Sequence, residues 1–198
     1  MSLKSILKGT LAAAAVFCSI AAGAADAPKK EQPRILIAFY SWSGNTRAAA
    51  KQIQQVIGGD LFEIKTVKPY PRDHRDCAKF AKKELETKTM PALTGIPDIS
   101  GYRIIFIGSP NWWGTMATPV YSFIRELDLS GKIVVPFFTH GGGGMQNCET
   151  DMKAACRSSK GETVLKAFTC SGGSTASVLP ELLKWAEDSV KAASKIKK

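Results

Sequence analysis

Arg34-Ile-Leu-Ile-Ala-Phe-Tyr-Ser-Trp-Ser-Gly-Asn-Thr-Arg-Ala-Ala-Ala-Lys-Gln-Ile53 is the stretch whose reading decides the fold. Ile35 to Tyr40 is apolar and strand-like. Ser41, Ser43, Gly44, Asn45 and Thr46 then turn the chain, and Ala49, Ile53 and Val56 recur at helical spacing to define one apolar face. A strand that enters a helix through small hydroxylated residues aims unpaired backbone N–H groups and hydroxyls at one point. The first helical turn adds the positive end of its dipole, so the turn suits a phosphate. It is neither a Gly-Lys-Ser/Thr nucleotide loop nor Gly-x-Gly-x-x-Gly.

Upstream, residues 1–25 carry only Lys4 and Lys8 as charges, a short Ala-rich run from Leu11 to Ala22, and small residues at Ala22-Gly-Ala-Ala25. This pattern predicts a secretory signal peptide cut near Ala24 or Ala25, and hence a periplasmic or secreted protein. The apolar run is short for a bilayer, so no stable membrane insertion is expected. Residues 26–33 read as a polar leader, and 34–198 as one domain. Without Lys4 and Lys8 the chain keeps 25 basic against 17 acidic residues, a formal +8. Aromatic and basic residues are not interleaved as in a nucleic-acid reader, so no nucleic-acid partner is expected. An acidic protein partner is the natural complement of that charge.

Downstream, strand-like and helical stretches alternate. Asp60–Lys65, Tyr102–Gly108, Lys132–Phe138 and Thr163–Thr169 read as strands. Stretches 73–87, 118–127, 146–155 and a last one from about Pro180 read as helices, with Cys77, Phe80, Ala81, Glu84 and Leu85 at helical spacing in the first. Five strands with helical crossovers predict a doubly wound parallel sheet, an α/β single domain whose ligand lies beyond the carboxyl ends of the strands. Two further loops fall at that edge. Gly108-Ser-Pro-Asn-Trp-Trp-Gly-Thr115 sets adjacent tryptophans between glycines, which a flat aromatic ligand would explain. Pro136-Phe-Phe-Thr-His-Gly-Gly-Gly-Gly144 lets the backbone pass close to a planar edge. His140 has no partnered carboxylate in sight and reads as a hydrogen-bonding loop residue.

Phe39, Ser41, Gly44, Thr46, Ala50 and Ile53 match the phosphate-loop signature of the flavodoxin-like proteins, which the chain resembles over nearly all of 34–198. Ala38 departs from it, where the family prefers a larger apolar residue. Pro110-Asn-Trp-Trp-Gly and Thr139-His-Gly-Gly match the second and third flavin loops of one subgroup. The direct passage from the fifth strand to the last helix matches the short form. The resemblance implies FMN as cofactor, with Ser41, Trp42, Ser43, Gly44, Asn45 and Thr46 at its phosphate. It places Pro110, Asn111, Trp112, Trp113, Gly114 and Thr115 beside the ring, and Thr139, His140, Gly141, Gly142 and Gly143 along its pyrimidine side.

With FMN the chain would be an electron-transfer protein serving a redox partner, or a NAD(P)H-dependent flavin oxidoreductase reducing quinones or similar acceptors. An exported protein would lack soluble NADPH, and no second nucleotide fingerprint or obvious acid or base is present, which favours the carrier. A flavin-free interaction module is a third class. A cysteine phosphatase loop, an acidic receiver cluster and closely spaced Cys/His zinc ligands are all missing. Four cysteines follow residue 25. Cys148 and Cys170 are both expected at the ligand edge, which predicts a Cys148–Cys170 disulfide with Cys77 and Cys156 unbonded.

Overall fold

The computed structural model describes residues 33–157, 162–174 and 177–196. The expected signal peptide and all of the leader but Pro33 lie outside the described residues. The elements run β1 (Ile35–Phe39), α1 (Asn45–Ile57), β2 (Asp60–Glu63), α2 (His74–Thr87), β3 (Ile104–Trp112), β4 (Thr115–Met116), α3 (Thr118–Arg125), β5 (Ile133–His140), α4 (Cys148–Cys156), β6 (Thr163–Val164), β7 (Phe168–Ser171), a 3-10 turn (Gly172–Ser174) and α5 (Leu179–Lys195). The sheet order is β2-β1-β3-β5-β6, with β7 also on β5. All these neighbours pair in parallel, and β4 alone folds back antiparallel on β3.

The apolar strands alternate faces, so each feeds two cores. Ile37, Phe39, Ile104, Phe106, Val135 and Phe137 pack under α1 and α5. Leu36, Ala38, Ile105, Ile107, Val134 and Phe138 pack under α2, α3 and α4. Burial on both faces is why these strands read as continuous apolar runs. The small Ala38 sits in the second core with no exposed surface. Among the described residues no helix is long and apolar enough to cross a membrane.

Four expectations change. The expected fifth strand is two short ones, because Pro136 interrupts its partner. Ile133 donates its N–H to Arg103, so by the period of two Pro136 faces β6 and β7, where it has no N–H to give. Val134 pairs with Val164 and Phe137 with Phe168, which leaves three residues opposite two, a bulge at the proline. β3 runs on to Trp112 rather than ending at Gly108, because β5 also extends and pairs Thr139 with Pro110. α4 starts at Cys148, since Gln146 holds φ 48° and cannot be helical. On α1 the buried face is Thr46, Ala49, Ala50 and Ile53, and Val56 is exposed.

Candidate functional site

A cavity of about 490 Å³ opens at the carboxyl ends of β1, β3 and β5. Ten of the expected residues line it: Trp42, Ser43, Asn45, Pro110, Asn111, Trp112, Trp113, Thr139, His140 and Gly141. The other seven are not among its lining residues, and they hold the surrounding loops in shape. Ser41 Oγ accepts the Gly44 N–H at 3.1 Å and holds the turn, in which Gly44 takes φ 94°. Thr46, 1% exposed, shares a hydrogen bond with Thr139 Oγ1 at 2.9 Å, tying the first loop to the third. Thr115 bonds Tyr121 at 2.7 Å and Asp151, away from the cavity. Gly142 donates to His140 Nδ1 at 3.0 Å, and Gly143 lies beside Gln146.

Gly114 belongs to the turn of the β3–β4 hairpin. Trp113 and Gly114 are its two central residues, with φ 56° and 88°, the positive values a type I′ turn requires. A bulky tryptophan in the left-handed region is strained, and such residues gather at sites of function. The two adjacent tryptophans therefore differ. Trp112 turns inward, its ring 5.0 Å from Tyr70 and 5.5 Å from Tyr40, both edge-on. Trp113 stays 59% exposed at the mouth, its Nε1 donating to Ala78 O at 2.9 Å.

Asn111 joins the second and third loops. Its Nδ2 donates to Gly144 O at 2.8 Å and to Gln146 Oε1 at 3.1 Å, while its Oδ1 accepts the Gly114 N–H at 3.0 Å. On the first loop, α1 begins without a side-chain cap. Its first N–H groups have no partner within the helix, so Ser43, Asn45 and these donors form a cradle for an anion. The donor set fits a phosphate, and the tryptophans fit a flat ring.

Two parts of the site escaped the sequence reading. One is α2, whose His74, Cys77, Ala78 and Ala81 form a whole wall of the cavity. Asp73 caps that helix by accepting the Arg75 and Asp76 N–H groups. Beneath it the buried Glu84 accepts hydrogen bonds from Tyr70 Oη and from Thr118 Oγ1, the latter at 2.6 Å. Burial, then the nearby Glu84, pushes the Tyr70 hydroxyl well above its ordinary value, and burial does the same for Tyr40. The signal for α2 was present only as its apolar stripe, which read as core. The other part is Gly172, packed so close to Asn45 that a Cβ there would collide with its carboxamide.

The predicted Cys148–Cys170 disulfide is absent. Cys77, Cys148, Cys156 and Cys170 are all buried thiols. Burial pushes Cys77 up to about 11, and Cys148 and Cys156 up to about 12. A small apolar role in the core accounts for them.

The family model described as Flavodoxin matches residues 34–187. This chain belongs to the flavodoxin family. It is 30% identical over 105 residues to Flavodoxin 1 of Salmonella typhimurium, a match covering 51% of this chain and 46% of that flavodoxin, so the alignment spans about half the relative's length. A crystal structure of a flavoprotein from Bacteroides uniformis superposes with a TM-score of 0.69 at 28% identity, over 79% of this chain and 99% of the other. A Lactobacillus acidophilus flavoprotein solved in complex with FMN shares the fold, with a TM-score of 0.61 at 24% identity over 75% and 99% of the two chains.

Proposed function

We propose that this flavodoxin is an exported FMN-binding electron carrier that exchanges electrons with a partner protein. One observation carries the reading: the cavity has the polarity of FMN. It brings together the uncapped start of α1, with Ser43 and Asn45, and the tryptophans Trp42, Trp112 and Trp113. The cradle would hold the terminal phosphate, the tryptophans would flank the ring, and the third loop at His140 and Gly141 would lie along its polar edge. Bound there, FMN supplies one- and two-electron chemistry, while the chain positions it and sets its surroundings. Trp42 is fixed for that task by its Nε1 bond to Pro71 O at 2.9 Å. His140 accepts from the Gly142 N–H, so it shapes the third loop.

Export rests on residues 1–25, with two lysines, a short Ala-rich run and small residues before Asp26. The test is direct. Protein purified from the periplasmic fraction or the medium should begin near Ala25 or Asp26, show a flavin absorption spectrum and take up FMN at one equivalent. Rapid turnover of NADPH with a quinone would replace the carrier by the oxidoreductase reading, and protein retained in the cytoplasm with residues 1–25 intact would remove export.

A further inference from the structure

Helix α2 carries Arg75, Lys79 and Lys82 at spacings of four and three, which puts them on one exposed stripe. The stripe borders the cavity, because His74 and Ala78 of the same helix line it. Trp113 joins the two. Its indole N–H reaches Ala78 O, and Lys82 Nζ stands 5.2 Å from the centre of its ring. Resting on the carrier reading above, we propose that this stripe with Trp113 is the docking surface for an acidic redox protein.

The acids of the helix do little to neutralise the stripe. Asp73 is spent on the helix N-terminus, Glu84 is buried against Tyr70 and Thr118, and Asp76, three residues before Lys79, makes no ion pair with it. Glu86 pairs with Lys82 at 3.8 Å, which leaves Arg75 and Lys79 as the open charges of the stripe. Among the described residues no carboxylate comes within ion-pair distance of Arg75 or Lys79. On the far side of the sheet the lysines of α5 are placed differently: Lys184 and Lys191 both sit on Asp188, at 2.7 and 3.7 Å. A large exposed aromatic beside unneutralised cations is the composition of an interface anchor with a charged rim. Its place at the cavity mouth brings a docked partner against the tryptophans of the site. The cations would steer and orient that partner, an effect that fades once salt shortens the screening length.

The experiment uses the FMN-loaded protein and an acidic plant-type [2Fe–2S] ferredoxin as the probe, with affinity measured by NMR titration without electron flow. Arg75→Gln/Lys79→Gln and Lys184→Gln/Lys191→Gln remove the same charge from opposite sides of the sheet. At an ionic strength of about 20 mM the α2 pair should weaken binding roughly fivefold or more, and the α5 pair less than about twofold. The gap should close at about 200 mM. Ferredoxin-induced shifts should include the Trp113 indole N–H. Equal losses in the two variants, or shifts centred on α5, would overturn the proposal and leave only net charge. The carrier reading fails separately, if the FMN-loaded protein turns over NADPH rapidly with a quinone, whatever the two variants do to ferredoxin affinity.

Discussion

The cavity has two walls built on different principles. The loop wall, from β1, β3 and β5, carries three tryptophans on loops whose shape is held by backbone and polar side chains bonded to one another: Ser41 to Gly44, Thr46 to Thr139, Asn111 to Gly114, Gly144 and Gln146. The helix wall on α2 presents His74 and the small apolar Cys77, Ala78 and Ala81 to the cavity, and is anchored from behind by Glu84, Tyr70 and Thr118. A loop must satisfy its own backbone wherever it leaves water, so its side chains are used up in making its shape. A helix satisfies its backbone internally, so its wall needs only small residues in front and a fixed position behind. Damage to the loop wall should therefore appear in ligand affinity, and damage to the helix wall in stability.

The largest effect is expected behind the helix wall. Glu84→Ala leaves the Tyr70 and Thr118 hydroxyls buried without their carboxylate, a cost of about 3 kcal/mol. In a chain of this size that lowers the thermal midpoint by roughly 6–12 °C. Glu149→Ala, which removes only the i,i+4 partner of Lys153 on α4, should cost less than about 1 kcal/mol. Equal midpoints for the two variants would show that the buried cluster does not anchor α2.

Next comes the joint of the loop wall. Asn111→Ala removes three hydrogen bonds that tie the β3 turn to the third loop. A loss of about 2 kcal/mol in binding corresponds to roughly thirtyfold in FMN affinity. Asn111 adjoins Trp112 in the chain, so riboflavin, which lacks the phosphate, should lose about as much. Fluorescence titration of both ligands checks this, and FMN affinity within about twofold of the parent protein would mean that the loops hold their shape without Asn111.

The loop wall was legible in the sequence and the helix wall was not. Residues forced by backbone geometry and donor chemistry stand out as types: Ser41, Gly44 and Asn45 in one turn, Trp113-Gly114 in another, and a run of glycines after His140. Cys77 and Ala81 are the same residues a buried helix uses against any core, so their stripe carried no sign of the cavity, and Ala78 lay off it. Glu84 sat on that stripe as an acid out of place, and nothing local named Tyr70 or Thr118 as its partners, fourteen and thirty-four residues away. The parallel, doubly wound sheet followed from the alternation of strands and helices. The bulge opposite Pro136 required knowing which neighbour its missing N–H would have faced. The disulfide expectation failed for a related reason: a shared edge says nothing about separation, and these thiols are buried as core residues.

A smaller effect tests the loop wall at its phosphate cradle. Gly172→Ala puts a methyl group against the Asn45 carboxamide, and Asn45 must move from the start of α1. Loss of one hydrogen bond to the phosphate would weaken FMN about tenfold while leaving riboflavin within about twofold. Equal weakening of both would mean that the whole wall has shifted, and no change would mean that Asn45 can yield without cost.

The smallest effect compares one thiol behind each wall. Burial raises Cys77 to about 11 and Cys148 to about 12, from 9.0. The native protein therefore keeps both thiols protonated at a pH where the unfolded chain begins to lose those protons. Stability contributed this way is complete below pH 9 and declines as pH rises toward the folded values, so it falls on the alkaline side. Between pH 8 and pH 9.5 each thiol should account for about 1 kcal/mol of that fall. Urea midpoints at the two pH values, for the parent protein and for Cys77→Ala and Cys148→Ala, isolate the effect, because the cavity left by each substitution costs the same at both and cancels in the difference. Each variant should flatten the alkaline decline by a similar amount, since pH 9.5 lies well below both folded values. A decline unchanged in Cys77→Ala but reduced in Cys148→Ala would mean that water reaches Cys77 through the cavity. The helix wall would then be the open side of the site, and the loop wall the closed one.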